Sequence, residues 1–199
     1  MRITKTLFIS AVLLMSATGL QAAGFIQKGN YLTVQLKEHQ NYGPSQIRLQ
    51  VVNDQIIRVQ ATAEQSFRNK QSLIIVPQSS KANYKVEEQG DKLIITTAAM
   101  RAVLNEATGQ ITFYDLKDNV LLSEVAQGGK TFKPFTVPDR EIGVDIAKVP
   151  EAQKHGWSWR ALFDSPDNEA FYGLGQHQSE ELNMKGKNED LFQYNTKVS

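Results

Sequence analysis

From residue 31 onward the apolar side chains recur at every second position, and that period constrains the fold more than anything else in the chain. In YLTVQLK, Leu32, Val34 and Leu36 alternate with polar neighbours. IRLQVVNDQIIRVQA repeats the pattern: Ile47, Leu49 and Val51 run up to Asn53-Asp54, and Ile57 and Val59 lead away. An alternating apolar face interrupted by an Asx-rich pair is the signature of a β-hairpin. YKVEEQGDKLIITT follows the same plan around Gly90-Asp91, and Thr108-Gly109 and Lys117-Asp118-Asn119 divide RAVLNEATGQITFYDLKDNVLLSE into three short strands. Turn signals at intervals of 8 to 12 residues predict an antiparallel sandwich or barrel. No segment carries a sustained apolar stripe of helical period, so the fold class is all-β.

Two regions stand outside this meander. Residues 128–156 hold three prolines and are expected to form an irregular excursion. After it, WSWRALF resumes alternation and puts Trp157, Trp159, Ala161 and Phe163 on one face, which is expected to be a core face. The N-terminus is different again. Arg2 and Lys5 precede an apolar run from Leu7 to Met15, and a small, polar stretch follows. That order marks residues 1–23 as a secretory signal peptide cleaved near Ala22 or Ala23. The run falls short of the roughly 20 residues a spanning helix needs. A periplasmic or secreted domain from residue 24 to residue 199 is expected, with no membrane insertion after cleavage.

Composition excludes several functions. A chain of 199 residues with 22% charged residues and a net charge of +1 has no electrostatic footprint for nucleic acid. With no cysteine, thiolate metal sites, iron–sulfur clusters and a cysteine nucleophile are ruled out.

The motifs with chemical potential lie in AFYGLGQHQSEELNMKGKNEDLFQYNT, residues 170–196. Gly173-Leu174-Gly175 begins like a dinucleotide fingerprint, but Gln178 occupies the third glycine position and no βαβ context surrounds it. His177 precedes Glu180 and Glu181 without the further ligands that a metal needs; His39 and His155 are equally isolated in sequence. Glu180, Glu181, Glu189 and Asp190 could be read as the paired carboxylates of a glycosidase. Nothing apolar surrounds them to separate their pKa values, so a solvated loop is the better account. No catalytic residue, metal site or cofactor is therefore assigned.

FYGLGQHQ, LNMKGK and LFQYNTKVS nevertheless resemble something specific: the N-terminal β-sandwich of glycoside hydrolase family 31, most of all that of bacterial α-xylosidases. QIRLQVVNDQIIRVQ and FYDLKDNVLLSE resemble earlier strands of the same domain. The resemblance implies a galactose-mutarotase-like supersandwich that leads into a catalytic barrel carrying two aspartates, an oligosaccharide substrate such as a xyloglucan fragment, and no cofactor. It also implies that those aspartates lie beyond position 199 and that the sandwich is incomplete at its C-terminal end, as in a piece of a longer enzyme. Gly173, Gly175, Gln176 and His177 would then sit where sandwich meets barrel. Asn195, flanked by Tyr194 and Thr196, would reach the sugar, since an amide offers both donor and acceptor to a diol. Two other functions fit the residues: a stand-alone carbohydrate-binding module, and a periplasmic interaction protein that pairs through open strand edges.

Overall fold

The computed structural model describes residues 24–36, 42–68, 76, 82–136, 145–173 and 181–189. Among them are three antiparallel sheets. The first contains β1 (Phe25–Lys28), β2 (Tyr31–Gln35), β3 (Gln46–Asn53) and β4 (Ile56–Thr62), paired in that order. The second contains β5 (Lys85–Gln89), β6 (Lys92–Thr96), β7 (Arg101–Asn105), β8 (Ile111–Tyr114) and β9 (Val120–Ser123), again in chain order. A two-stranded ribbon of β10 (Lys130–Thr136) and β11 (His155–Ala161) completes the set. Among the described residues, helix is confined to a 3-10 turn at Ile146–Lys148 and the four-residue α1 (Glu151–Lys154).

The alternation read in the sequence is the alternation of burial. On the first sheet Leu32 faces Leu49 and Val34 faces Ile47, and all four are fully buried. On the second, Leu93 faces Leu104 and Ile95 faces Ala102, with Ile111 opposite Leu104. Apart from Ala102, these side chains form one cluster, with Ile57, Val59, Val86 and Phe113 packed around it. Two sheets whose inner faces share a core make a β-sandwich. The apolar core holds them together: fully burying a Leu or Ile contributes about 1.5–3 kcal/mol.

The turns follow from local chemistry. Asn53 Oδ1 accepts a bond from the Gln55 N–H (2.9 Å), closing the predicted Asx turn between β3 and β4. Gly90 stands at φ 62 in open space, so the backbone direction alone demands glycine there. Between β8 and β9 the Asp115 carboxylate accepts from the N–H groups of Lys117 and Asn119 and from the Asn119 amide, at 2.7–2.8 Å. Asp118 takes up φ 68 in that turn, a left-handed conformation that aspartate tolerates.

Three features depart from the sequence reading. Phe25–Lys28 forms an edge strand with no alternation to announce it; its burial runs from half-buried Phe25 to exposed Lys28. The excursion expected from residue 128 instead opens with seven residues of strand, β10, which contains Pro134. Proline is tolerated because the ribbon is two strands wide among the described residues, so the N–H it lacks is not needed by a third. The third departure concerns the tryptophans. Trp157 and Trp159 do share a face, since they pair with Pro134 and Phe132, but it is not a core face. Trp159 is 69% exposed and Trp157 44%.

The ribbon is fastened to the second sheet at one place. Asp164 N–H donates to Ser123 O (2.9 Å), Val125 N–H to Leu162 O (3.4 Å), and Glu124 bridges Phe163. A Cβ on Gly129 would lie 2.2 Å from Leu162 O, so only glycine permits this approach. Beneath the joint, the Lys130 ammonium meets Glu124 Oε2 at 2.5 Å, with side-chain exposures of 11% and 6%. The same carboxylate oxygen accepts the Ile111 N–H (3.0 Å). Burial pushes the Lys130 ammonium below the usual lysine range, and the Glu124 charge only partly offsets that cost.

Candidate functional site

Beyond the ribbon, residues 165–173 and 181–189 are stitched into one surface. Asn183 is the clasp: its Oδ1 accepts the N–H of Phe171 (3.0 Å) and of Lys185 (3.1 Å). Met184 N–H donates to Phe171 O (2.7 Å), and the Met184 side chain is buried at 5% exposure. One thioether thus anchors an otherwise polar loop. Lys185-Gly186-Lys187 forms the predicted turn, with Gly186 at φ 77. The Lys185 ammonium reaches back to Pro166 O. Gly173 stands at φ 96 with no atom within 4 Å of where a Cβ would be, so conformation rather than close packing explains it.

The one described member of the Glu180-Glu181 pair is neutralised by a cation. Glu181 Oε2 lies 2.8 Å from Lys187 Nζ. That bond and the Glu181 charge, with a smaller contribution from Glu189, hold the Lys187 ammonium above the usual lysine range. A glycosidase pair needs one carboxyl in an apolar setting that keeps it protonated. Glu181 is exposed, and its partner is a lysine.

A second arrangement was not evident from the sequence. His155 Nδ1 lies 3.2 Å from Thr136 Oγ1, and its Nε2 lies 2.9 Å from Glu151 Oε1. The hydroxyl–imidazole–carboxylate order is that of a nucleophilic triad. It sits in open solvent, with His155 57% and Glu151 73% exposed, so nothing desolvates or activates the threonine. The Glu151 carboxyl is held below the usual range first by its bond to Lys154, then by His155. The local i,i+4 spacing accounts for the pairing as a helix-to-strand clasp. Among the described residues no three His, Asp or Glu side chains converge as a metal site would require.

The most distinctive surface is aromatic. Trp157 and Trp159 project from β11, and Phe171 (44% exposed), Tyr172 (69%) and Leu182 (81%) also lie open. Glu64 is held below the usual carboxylate range by Arg68 first, with a smaller effect of the Trp157 indole. Glu180, Gly175, Gln176, His177, Asp190, Tyr194, Asn195 and Thr196 lie outside the described residues, as do His39 and the segment 1–23.

The described residues thus form a two-sheet antiparallel sandwich with a polar loop and several exposed aromatic side chains. The chain belongs to glycosyl hydrolase family 31: residues 46–199 match its N-terminal galactose mutarotase-like domain. An α-xylosidase of that family from Xanthomonas citri is 36% identical and superposes with a TM-score of 0.67, covering 85% of this chain and 16% of its own. A second, from a soil metagenome and solved with xylose, is 25% identical with a TM-score of 0.54, covering 82% and 24%. An uncharacterised family 31 glucosidase of Pseudescherichia vulneris is 24% identical over 162 residues, 77% of this chain and 30% of the relative. The chain therefore spans less than a third of each of these proteins.

Proposed function

We infer that this chain is the exported N-terminal sandwich of an α-glycosidase that removes sugars from xylosylated oligosaccharides, and that it performs no chemistry by itself. The observation that carries this reading is the 36% identity to the Xanthomonas citri α-xylosidase across 85% of the chain. The signal-like order of residues 1–23 supports export to the periplasm or beyond. The loop around Glu181 and Lys187 supports the lack of independent catalysis, because the ion pair leaves Glu181 untuned as an acid.

In this reading the exposed Trp157, Trp159, Phe171 and Tyr172 face the catalytic portion of the enzyme, and so, as the sequence resemblance implies, do Gly173, Gly175, Gln176 and His177. Exposed apolar patches of this kind mark interaction surfaces. Asn195, with Tyr194 and Thr196, lends hydrogen bonds to the bound sugar. Turnover of an aryl α-xyloside decides the matter. The 199-residue chain is expected to show none, whereas a polypeptide that joins it to a family 31 barrel is active. In that longer enzyme Asn195→Ala is expected to raise KM with little change in kcat. Turnover by the 199-residue chain alone would overturn the assignment.

A further inference from the structure

The outer face of the second sheet, opposite the core, carries a cleft of about 450 Å³. Cross-strand register explains how it is built. Glu87, Ile94 and Val103 lie in one row across β5, β6 and β7, and Thr96, Arg101 and Tyr114 lie in the next. Ile94 and Val103 form an apolar floor only two side chains wide. The β8–β9 turn rises beside it as a wall, because Asp115 locks that turn and its left-handed Asp118 presents a carboxylate to Arg101 at 2.7 Å. Arg101 in turn lies over the Tyr114 ring, 4.8 Å from its centroid. On the far side Gln89 and Lys92 form the rim, and Glu87 pairs with Lys85 at 2.8 Å.

The charge pattern selects the ligand. Both Arg101 and Lys85 are already paired with carboxylates, so an anion entering the cleft would meet Glu87, Asp115 and Asp118, with Lys92 as the one unpaired cation among the described lining residues. A metal ion finds Asp115 spent on three hydrogen bonds. A bulky apolar group would strand the polar rim without partners. What remains is a neutral, polyhydroxylated ligand. Its C–H face would lie on Ile94 and Val103, and its hydroxyls would find the Gln89 amide, the Thr96 hydroxyl, the Lys92 ammonium and the spare lone pairs of Glu87 and Asp118. The cleft volume is at the lower end of the range for small-ligand sites.

We propose that this cleft is a glycan-binding site, built from residues other than the exposed tryptophans. The inference rests on the reading of the chain as a glycosidase domain only for the choice of first probe. The test is a titration of the 199-residue chain with xylosylated glucan oligosaccharides, followed by amide chemical shifts and by calorimetry. Cello- and isomalto-oligosaccharides serve as other neutral glycans. Saturable binding is expected, with shifts concentrated in 85–103 and 114–118. Gln89→Ala/Lys92→Ala, two exposed rim changes whose melting curve should match the parent, is expected to weaken binding by roughly tenfold or more through two lost hydrogen bonds. Trp157→Ala/Trp159→Ala should leave the affinity unchanged. Shifts centred on the tryptophans, an unaffected rim variant, or no saturable binding by any of these glycans would each overturn the proposal. Binding in the cleft of a neutral glycan other than the xylosylated one would uphold the site while removing support for the substrate assigned above. Turnover tests that assignment on its own.

Discussion

Replacing Lys130 by methionine tests the joint between sandwich and ribbon. The substitution keeps the stem that fills the space but removes the ammonium 2.5 Å from Glu124 Oε2. Glu124 is 6% exposed, so its carboxylate would stay buried with the Ile111 N–H at 3.0 Å as its remaining charge-stabilising partner. Removing one member of a buried pair costs about 3–5 kcal/mol, chiefly because the other charge is left uncompensated. Against a total stability of about 5–15 kcal/mol, the variant would be marginal. In a domain of this size the loss corresponds to roughly 6–20 °C in Tm. Urea unfolding at neutral pH, followed by circular dichroism, measures it. Lys130→Met/Glu124→Gln supplies the control, because the neutral amide oxygen still accepts the Ile111 N–H; it should recover all but about 1 kcal/mol. A pH series adds an independent readout. Burial lowers the folded-state pKa of Lys130, so the unfolded chain keeps that proton to a higher pH. This group's contribution to stability therefore rises with pH in the window below the unfolded lysine value of about 10.4, and Lys130→Met should lack that rise. A loss of under 1 kcal/mol, or a double variant no more stable than the single one, would refute the argument that an unpaired buried carboxylate is the dominant cost.

Other perturbations separate backbone conformation, contact and packing. Gly129→Ala places a methyl 2.2 Å from Leu162 O and should destabilise by more than about 1 kcal/mol in chemical denaturation. Gly29→Ala, at φ 61 in open space, should cost no more than the left-handed penalty of about 1–2 kcal/mol and leave the ribbon intact. Leu104→Ala, which empties the middle of the core, should cost about 2–5 kcal/mol in the same assay. The Asp115 carboxyl is held below its usual range, first by the Asn119 side-chain amide and then by the Asn119 N–H. Its stabilising contribution is present above the unfolded aspartate value of about 3.9 and is lost as pH falls through the lower folded value. In Asp115→Asn that acid-limb dependence should disappear; a carboxyl titrating at the ordinary aspartate value by NMR would count against the bonding described.

Much of the sandwich was legible because period-two alternation and turn residues report the same thing from two directions. Asn53-Asp54, Gly90-Asp91 and Lys117-Asp118-Asn119 each separate strands that pair as read. The failures have physical causes. Phe25–Lys28 is an edge strand, buried only at one end, and so shows no apolar rhythm. Pro134 looked like a breaker because proline lacks a donor, yet among the described residues the ribbon is two-stranded and leaves one side of each strand without a ladder to break. For Trp157 and Trp159, alternation shows that two faces differ but not which of them is covered; that depends on a neighbouring layer, about which local sequence is silent. The triad-like Thr136–His155–Glu151 contact illustrates the same limit, since Thr136 is brought to His155 only by the pairing of β10 with β11. Family membership was legible in the 170–199 motifs, while the outer-face cleft emerges only when the register of β5 to β8 aligns residues far apart in sequence.

Within each described sheet, every hydrogen-bonded neighbour is also the next strand along the chain. The order in which the polypeptide is made therefore becomes the order in which it can pair. The tight hairpins, such as β3–β4 and β5–β6, need only a short closure, an event of about 1–10 μs. The first sheet is complete at Thr62, whereas its apolar face waits for strands that end at Ser123. At roughly 5–20 residues per second, that wait lasts about 3–12 s. Throughout it Leu32, Ile47 and Leu49 lack their permanent cover, and a nascent chain of this design offers a holding chaperone its clearest target there.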